Sequence, residues 1–212
     1  MDATELRTML RSEIDDAVAP YLVSDSLASS YIDDAQKMFC RLTEGIEDGR
    51  SFTLSINTTS EWYDLDKSIL KFRKATNAAT GREITLVNQE KAEAAGIYFD
   101  GRQAPLQALV LGIEKNMARA WPKPNVAMTV ALNVFRLPKT IAAGDELEVD
   151  EHHHQHLLMW AKHRVYSIQD SEITDKFKAE KYEQSFRAYC FQALKEQVRA
   201  RRIVGVTSYG GV

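Results

Sequence analysis

Apolar residues recur at three- and four-residue steps at the start of the chain. Leu6, Met9, Leu10, Ile14 and Val18 predict an amphipathic helix over residues 3–18. Pro20 is expected to end it, because the residue before a proline is pushed out of the helical region. Ser24 and Asp25 can cap a second helix running to about Thr43, with Leu27, Tyr31, Ile32, Ala35, Met38, Phe39 and Leu42 on its apolar stripe. Gly45 is placed to stop it. The period changes after Gly49. Phe52, Leu54 and Ile56 alternate with Thr53 and Ser55, a strand signature. Short apolar runs follow at Trp62, Tyr63 and Leu65, at Ile69, Leu70 and Phe72, at Ile97, Tyr98 and Phe99, and at Leu109, Val110 and Leu111. Gly81 and Asn88 mark turns, and Asp100-Gly101 reads as a hairpin turn. MTVALNVFRL, from Met128 to Leu137, is the clearest strand, and Pro138 ends it. Residues 50–140 therefore read as a small, mainly antiparallel β module of five to seven strands.

Helical spacing returns at Glu151 and lasts to Ile168. Leu157, Leu158, Ala161, Val165 and Ile168 make the stripe, with Trp160 and Tyr166 at its margins. After a break at Gln169-Asp170-Ser171, a last helix is predicted over 172–202. Phe177, Phe186, Tyr189, Cys190, Ala193, Leu194, Gln197 and Val198 carry its stripe. At ~1.5 Å per residue it would be about 45 Å long, more than a core of this size can cover. Its far end is expected to project and meet another subunit. That end carries Lys195, Arg199, Arg201 and Arg202, then the tail IVGVTSYGGV, which has no helical pattern. The tail reads either as terminal disorder or as an arm ordered on a partner. The expected fold class is α+β: a mainly helical body, with two N-terminal and two C-terminal helices, the last one long, and an inserted antiparallel β module. The expected boundaries are 1–49 for the N-terminal helices, 50–144 for the β module, 145–202 for the C-terminal helices and 203–212 for the tail.

Composition adds limits. The chain has 212 residues, of which 44% are hydrophobic and 27% charged, enough for a core and against disorder as the default. The net charge is −3, but it is unevenly spread. Residues 1–50 hold eleven acids against five bases, and residues 151–212 hold seven against ten. Such a gradient suits stacking on copies of the chain or on unlike neighbours. Cys40 and Cys190 sit inside apolar helical patterns, which suits buried thiols in a reducing compartment. No apolar run approaches ~18 residues and no leader pattern is present, so the chain is expected to be soluble, neither secreted nor membrane-spanning.

The chemistry-bearing stretch is Glu151 to Tyr166, EHHHQHLLMWAKHRVY. His152 and His156 lie four apart on one helical face, a spacing at which two imidazoles can share a zinc ion. The zinc-protease form needs a glutamate after the first histidine, and His153 stands there instead. A polar helix start at a subunit contact is the preferred reading. A metal-dependent enzyme using His152, His154 and His156 is the alternative, and a pH-sensitive contact is a third. No nucleophile-base pair or phosphate loop is readable. Asp15-Asp16 and Asp33-Asp34 read as solvated helix faces. Lys195 to Arg202 is too short a basic run for broad nucleic-acid binding and suits an acidic protein surface better.

Three segments carry a resemblance. LRSEIDDAVAPYLVSDSLASSYIDDAQKMFCR has the pattern of a short helix, a Ser-Asp loop, then a Tyr-Ile-Asp-Asp-Ala helix; HHHQHLLMWAKHRVYSIQDSE has Leu-x-x-Trp-Ala, an aromatic and an acidic turn; and KAEKYEQSF lies in the long last helix. In this order they resemble the head-to-tail adaptor (connector or head-completion) proteins of tailed bacteriophages, and the β insert with LNVFRLP resembles that of short-tailed phage adaptors. The resemblance spans most of the chain; another phage tail or capsid accessory protein with the same helix scheme is the weaker alternative. It implies a non-enzymatic virion protein of the neck, made in the host cytoplasm, without cofactor, metal or membrane. It implies a ring of identical subunits, usually twelve, beneath the portal protein, with the β module toward the tail tube or nozzle. Packaged DNA would pass through the channel without sequence-specific binding, and the ring would help close that exit. Portal docking would fall to Lys195, Arg199, Arg201, Arg202, Ile203, Val204, Val206 and Tyr209. Leu157, Leu158, Trp160, Ala161 and Tyr166 would brace the last helix against the N-terminal pair.

Overall fold

The computed structural model describes residues 1–99, 101–142, 144–169 and 174–201. In chain order its elements are helices α1 (Ala3–Glu13) and α2 (Asp25–Leu42), strands β1 (Ile46–Ile56), β2 (Trp62–Asp64), β3 (Ile69–Asn77) and β4 (Glu83–Asn88), helix α3 (Gln89–Ala94), strands β5 (Gln103–Ala104), β6 (Ala108–Leu111), β7 (Met117–Trp121), β8 (Lys123–Pro124) and β9 (Met128–Arg136), then a 3₁₀ turn (Glu151–His153) and helices α4 (His154–Tyr166) and α5 (Lys176–Arg201). Contacts divide the chain into two compact units. One joins residues 1–43 to the chain from 138 onward, and the other is 44–137.

In the first unit, Asp2 opens α1 with a capping box. Its carboxylate accepts from the Glu5 amide at 2.7 Å, and the Glu5 carboxylate accepts from the Asp2 amide at 3.0 Å. The helix stops at Glu13, short of the Val18 and Pro20 expected from the sequence. Asp15 takes a left-handed φ of 58°, and the Asp16 amide reaches back to the Arg11 carbonyl at 2.9 Å. That six-to-one bond is a Schellman-type ending, so the stop is set by Asp15 and Asp16, and Val18 is left 81% exposed. Ser24 caps α2 by accepting from the Leu27 amide at 3.3 Å. Ala28, Tyr31, Ile32, Ala35, Phe39 and Cys40 bury its stripe. From α4 come Leu157, Leu158, Trp160, Ala161 and Val165, and from α5 Ala179, Phe186, Cys190 and Ala193. Phe177, assigned to the α5 stripe by its spacing, is 78% exposed. Among the described residues no helix is long and apolar enough to cross a membrane.

The second unit is a curled seven-stranded half-barrel, in the order β1-β9-β3-β4-β6-β7-β2, with a separate β5-β8 pair. Leu54, Ile56, Tyr63, Ala75, Ile84, Leu109, Ala120, Val130, Leu132 and Val134 form its core. This overturns the expected fold class. The described chain is 39% helix and 27% strand, with five helices, so the body is not mainly helical. Nor is the β unit purely antiparallel. β4 runs parallel to β6, with Thr85 opposite Ala108 and Asn88 opposite Leu111, and β5 runs parallel to β8. Parallel neighbours need a crossover, and α3 lies within it. Ile97, Tyr98 and Phe99 are therefore not strand. Gly96 at φ 67° ends α3, and the Ile97 amide closes back on the Ala92 carbonyl at 2.9 Å. Of the expected Asp100-Gly101 turn, Asp100 lies outside the described residues.

Candidate functional site

Helix α4, which carries the residues expected to act as a brace, packs against α1, α2 and α5. Leu157, Leu158, Trp160 and Ala161 are buried. Trp160 donates its indole N–H to Asp34 Oδ2 at 2.9 Å, and Arg164 donates to the same oxygen at 2.9 Å. The Trp160 ring lies 5.4 Å from that of Phe186. Tyr166 stacks on Tyr182 of α5 at 5.9 Å, with Lys178 over one ring and Lys162 over the other. Lys162 also pairs with Glu13 of α1 at 2.6 Å. A carboxylate in α2 thus fixes the α4 face that α5 packs on.

The histidines are divided among separate tasks. His154 is buried, and its Nε2 donates to the Val149 carbonyl at 2.7 Å. His156 stacks on Tyr189 at 3.7 Å. His163 donates from Nδ1 to the Ala179 carbonyl at 3.0 Å. His153 is buried against Phe39, and its Nδ1 is hydrogen-bonded to the Tyr189 hydroxyl at 2.7 Å. Burial, with His152 alongside, pulls the His153 imidazole down to about 4, so this ring is neutral near pH 7. Burial also lowers His156. The trio His152, His154 and His156 named for an enzymatic site is therefore not brought together. His154 is spent on a carbonyl and His156 on a tyrosine ring.

Asp15 is exposed, as expected of a solvated face, but Asp16 is buried and Asp33 and Asp34 are partly covered. Asp16 is 4% exposed and carries a buried network with Arg11. Arg11 donates to Asp16 at 2.7 Å, to Asp25 at 2.6 Å and to the Val23 carbonyl at 2.8 Å, and its guanidinium lies 3.7 Å from the Tyr21 ring centroid. Asp16 in turn accepts from the Leu22 and Val23 amides. Asp33 accepts from Gln36, Lys37 and the Ile141 amide. Glu44, Glu47 and Asp48 pair with Lys71, Arg73 and Arg136. Most of the acids in the first fifty residues are thus neutralised within the chain, and the charge gradient does not amount to a bare acidic face. Arg11, Asp16 and Asp34 were missed by sequence reasoning as organising residues. The one visible signal was an arginine next to Leu10 on the apolar side of α1.

No residue of α5 beyond Ala193 is buried. Lys195, Arg199 and Arg201 are exposed there, with the Lys195 ammonium 4.1 Å over the 59% exposed Phe191 ring. Arg202, Ile203, Val204, Val206 and Tyr209, named for docking, lie outside the described residues, as do Asp170 and Ser171.

None of the curated proteins matches this chain. One family model does, described as SU10 adaptor protein, and it aligns with residues 1–208. That span takes in both N-terminal helices, the whole β unit and α5. The chain belongs to the SU10 adaptor protein family, in keeping with the bacteriophage head-to-tail adaptors that its helix motifs resemble.

Proposed function

We propose that this protein is a structural ring adaptor of the phage neck. Twelve copies would dock beneath the portal through the end of α5 and the tail that follows it. The ring would offer the attachment site for the tail tube or nozzle and help close the DNA exit after packaging. Membership of an adaptor family supports a structural role over catalysis, and a place in the virion among head and tail components.

The observation that carries the docking role is the end of α5. At ~1.5 Å per residue, its last two turns extend for roughly 10 Å without one buried residue. Lys195, Arg199 and Arg201 are exposed along those turns. Leu194, Gln197 and Val198 are partly covered on one side of those turns, and the exposed basic side is explained by a partner surface of opposite charge, an attraction that should weaken as salt screens it.

Deleting the residues after Arg201 tests this. The truncated protein should keep its far-UV circular dichroism and melting temperature but lose assembly on portal rings, seen by electron microscopy of the mixture. Truncated protein that still forms rings on portals with unchanged affinity would overturn the tail's part in docking, and Lys195→Glu with Arg199→Glu binding as wild type would overturn that of α5.

A further inference from the structure

We propose that Asp150, His152 and His153 form a binding site for one divalent transition-metal ion, with zinc as the natural probe. One ligand atom from each of the three lies within 4.8 Å of the other two. Zinc ligands sit at ~2.0–2.2 Å from the ion, so tetrahedral neighbours are roughly 3.5 Å apart. Asp150 and His152 are exposed, so their side chains have room to rotate toward that spacing. Two imidazoles and a carboxylate suit zinc, nickel or cobalt, whereas an all-oxygen set would suit calcium or magnesium.

Two local features support the site independently of proximity. Asp150 stands at the N-cap of the 3₁₀ turn, where an aspartate ordinarily caps with its side chain. Here the side chain makes no capping bond, although the Asp150 carbonyl closes the turn on the His153 amide at 2.9 Å. The carboxylate is thus left for another task. His153 is the preorganised ligand: its Nδ1 is held by the Tyr189 hydroxyl at 2.7 Å, which orients the ring and leaves Nε2 for an ion. A hydrogen bond on the far nitrogen is the usual support of a metal-bound histidine. His152 lies against it, ring centroids 3.8 Å apart. Water would complete the shell. A bound ion would clamp Asp150 to the 3₁₀ turn that leads into α4.

The test uses full-length protein without an affinity tag, stripped with a chelator and titrated with zinc chloride by calorimetry. One ion per chain is expected. His152→Ala and Asp150→Asn, both at exposed positions, should each weaken binding by about tenfold or more, and Tyr189→Phe by on the order of tenfold, while His156→Ala changes it less than about twofold. Cobalt should give the visible absorption of a tetrahedral N/O site in wild type and not in His152→Ala. Absence of zinc uptake would overturn the site. So would an equal loss in His152→Ala and His156→Ala, which would mean that the imidazoles adsorb zinc as a group.

Discussion

Replacing Arg11 should destabilise the helical unit far more than an ordinary surface arginine would. Arg11 and Asp16 are 6% and 4% exposed, and they meet at 2.7 Å. Removing one partner of a buried pair leaves an uncompensated charge and costs about 3–5 kcal/mol. Asp16 keeps the Leu22 amide at 2.8 Å and the Val23 amide at 3.1 Å, which soften the loss. The Val23 carbonyl loses its guanidinium donor at the same time. Arg11→Met, which keeps the aliphatic stem, should therefore cost about 3 kcal/mol, with the contact to exposed Asp25 left out of the figure. Urea unfolding should show it as a midpoint lower by roughly 1–3 M at an unchanged slope. Hydrogen exchange should show faster opening at the Leu6 and Leu10 amides, both in α1. Arg11→Lys should recover less than half, because one ammonium nitrogen cannot stand both where Nη1 faces Asp16 and where Nη2 faces Asp25 and the Val23 carbonyl. A loss below about 1 kcal/mol in Arg11→Met, or wild-type stability in Arg11→Lys, would refute the idea that this network holds the α1–α2 connection together.

Two further outcomes follow from the geometry. Trp160→Phe keeps the ring against Phe186 but removes the indole donor to Asp34, which retains Arg164; a loss of about 1 kcal/mol is expected in urea, and a variant as stable as wild type would show that the indole bond contributes nothing. In the β unit, burial pushes the Asp48 carboxyl up, but the Ser51 and Arg50 amides, the Arg136 guanidinium and the Ser51 hydroxyl together outweigh it and hold the group well below the usual carboxylate range. A depressed carboxylate contributes stability that is present above its unfolded value, about 3.9, and is lost as pH falls through the folded one. Asp48→Asn should therefore be less stable near neutrality yet lose less than wild type on acidification below about pH 4; parallel acid curves for the two proteins would count against it.

What the sequence disclosed depends on which residues face inward. α2 was legible because Ser24 caps it and its buried residues keep a regular step. β9 was legible because Val130, Leu132 and Val134 alternate inward. β7 was not read as a strand because its pattern is inverted: Ala118 and Ala120 face the core, while Met117, Arg119 and Trp121 are only partly covered. Hydropathy scanning rewards large inward residues, and here the inward ones are small. β4 escaped because its alternation, with Ile84 buried and Leu86 half-buried, is set between turn residues that drew attention first. Without β4 and β7, the parallel pairing and the curl of the sheet had no basis. At the candidate site, the histidines were conspicuous, but the roles of their nitrogens were not. Tyr189, which orients His153, is 36 residues away, and Asp34, which takes the Trp160 indole, is 126 residues away. Local spacing carries no information about either.

The position of β9 has a consequence for synthesis. It lies between β1 and β3 and is paired to both, with Ile46 opposite Arg136 on one side and Asn77 opposite Val130 on the other. Among the described residues β1 has no other ladder partner. A nascent chain that has not yet reached Met128 therefore carries two strands with unsatisfied backbone edges, the situation that invites pairing between chains. Helices α1 and α2 wait longer still, since α4 and α5 come last. The β unit can thus complete its sheet before the helical unit has all of its helices, and the arrival of β9 is what supplies the strand between β1 and β3.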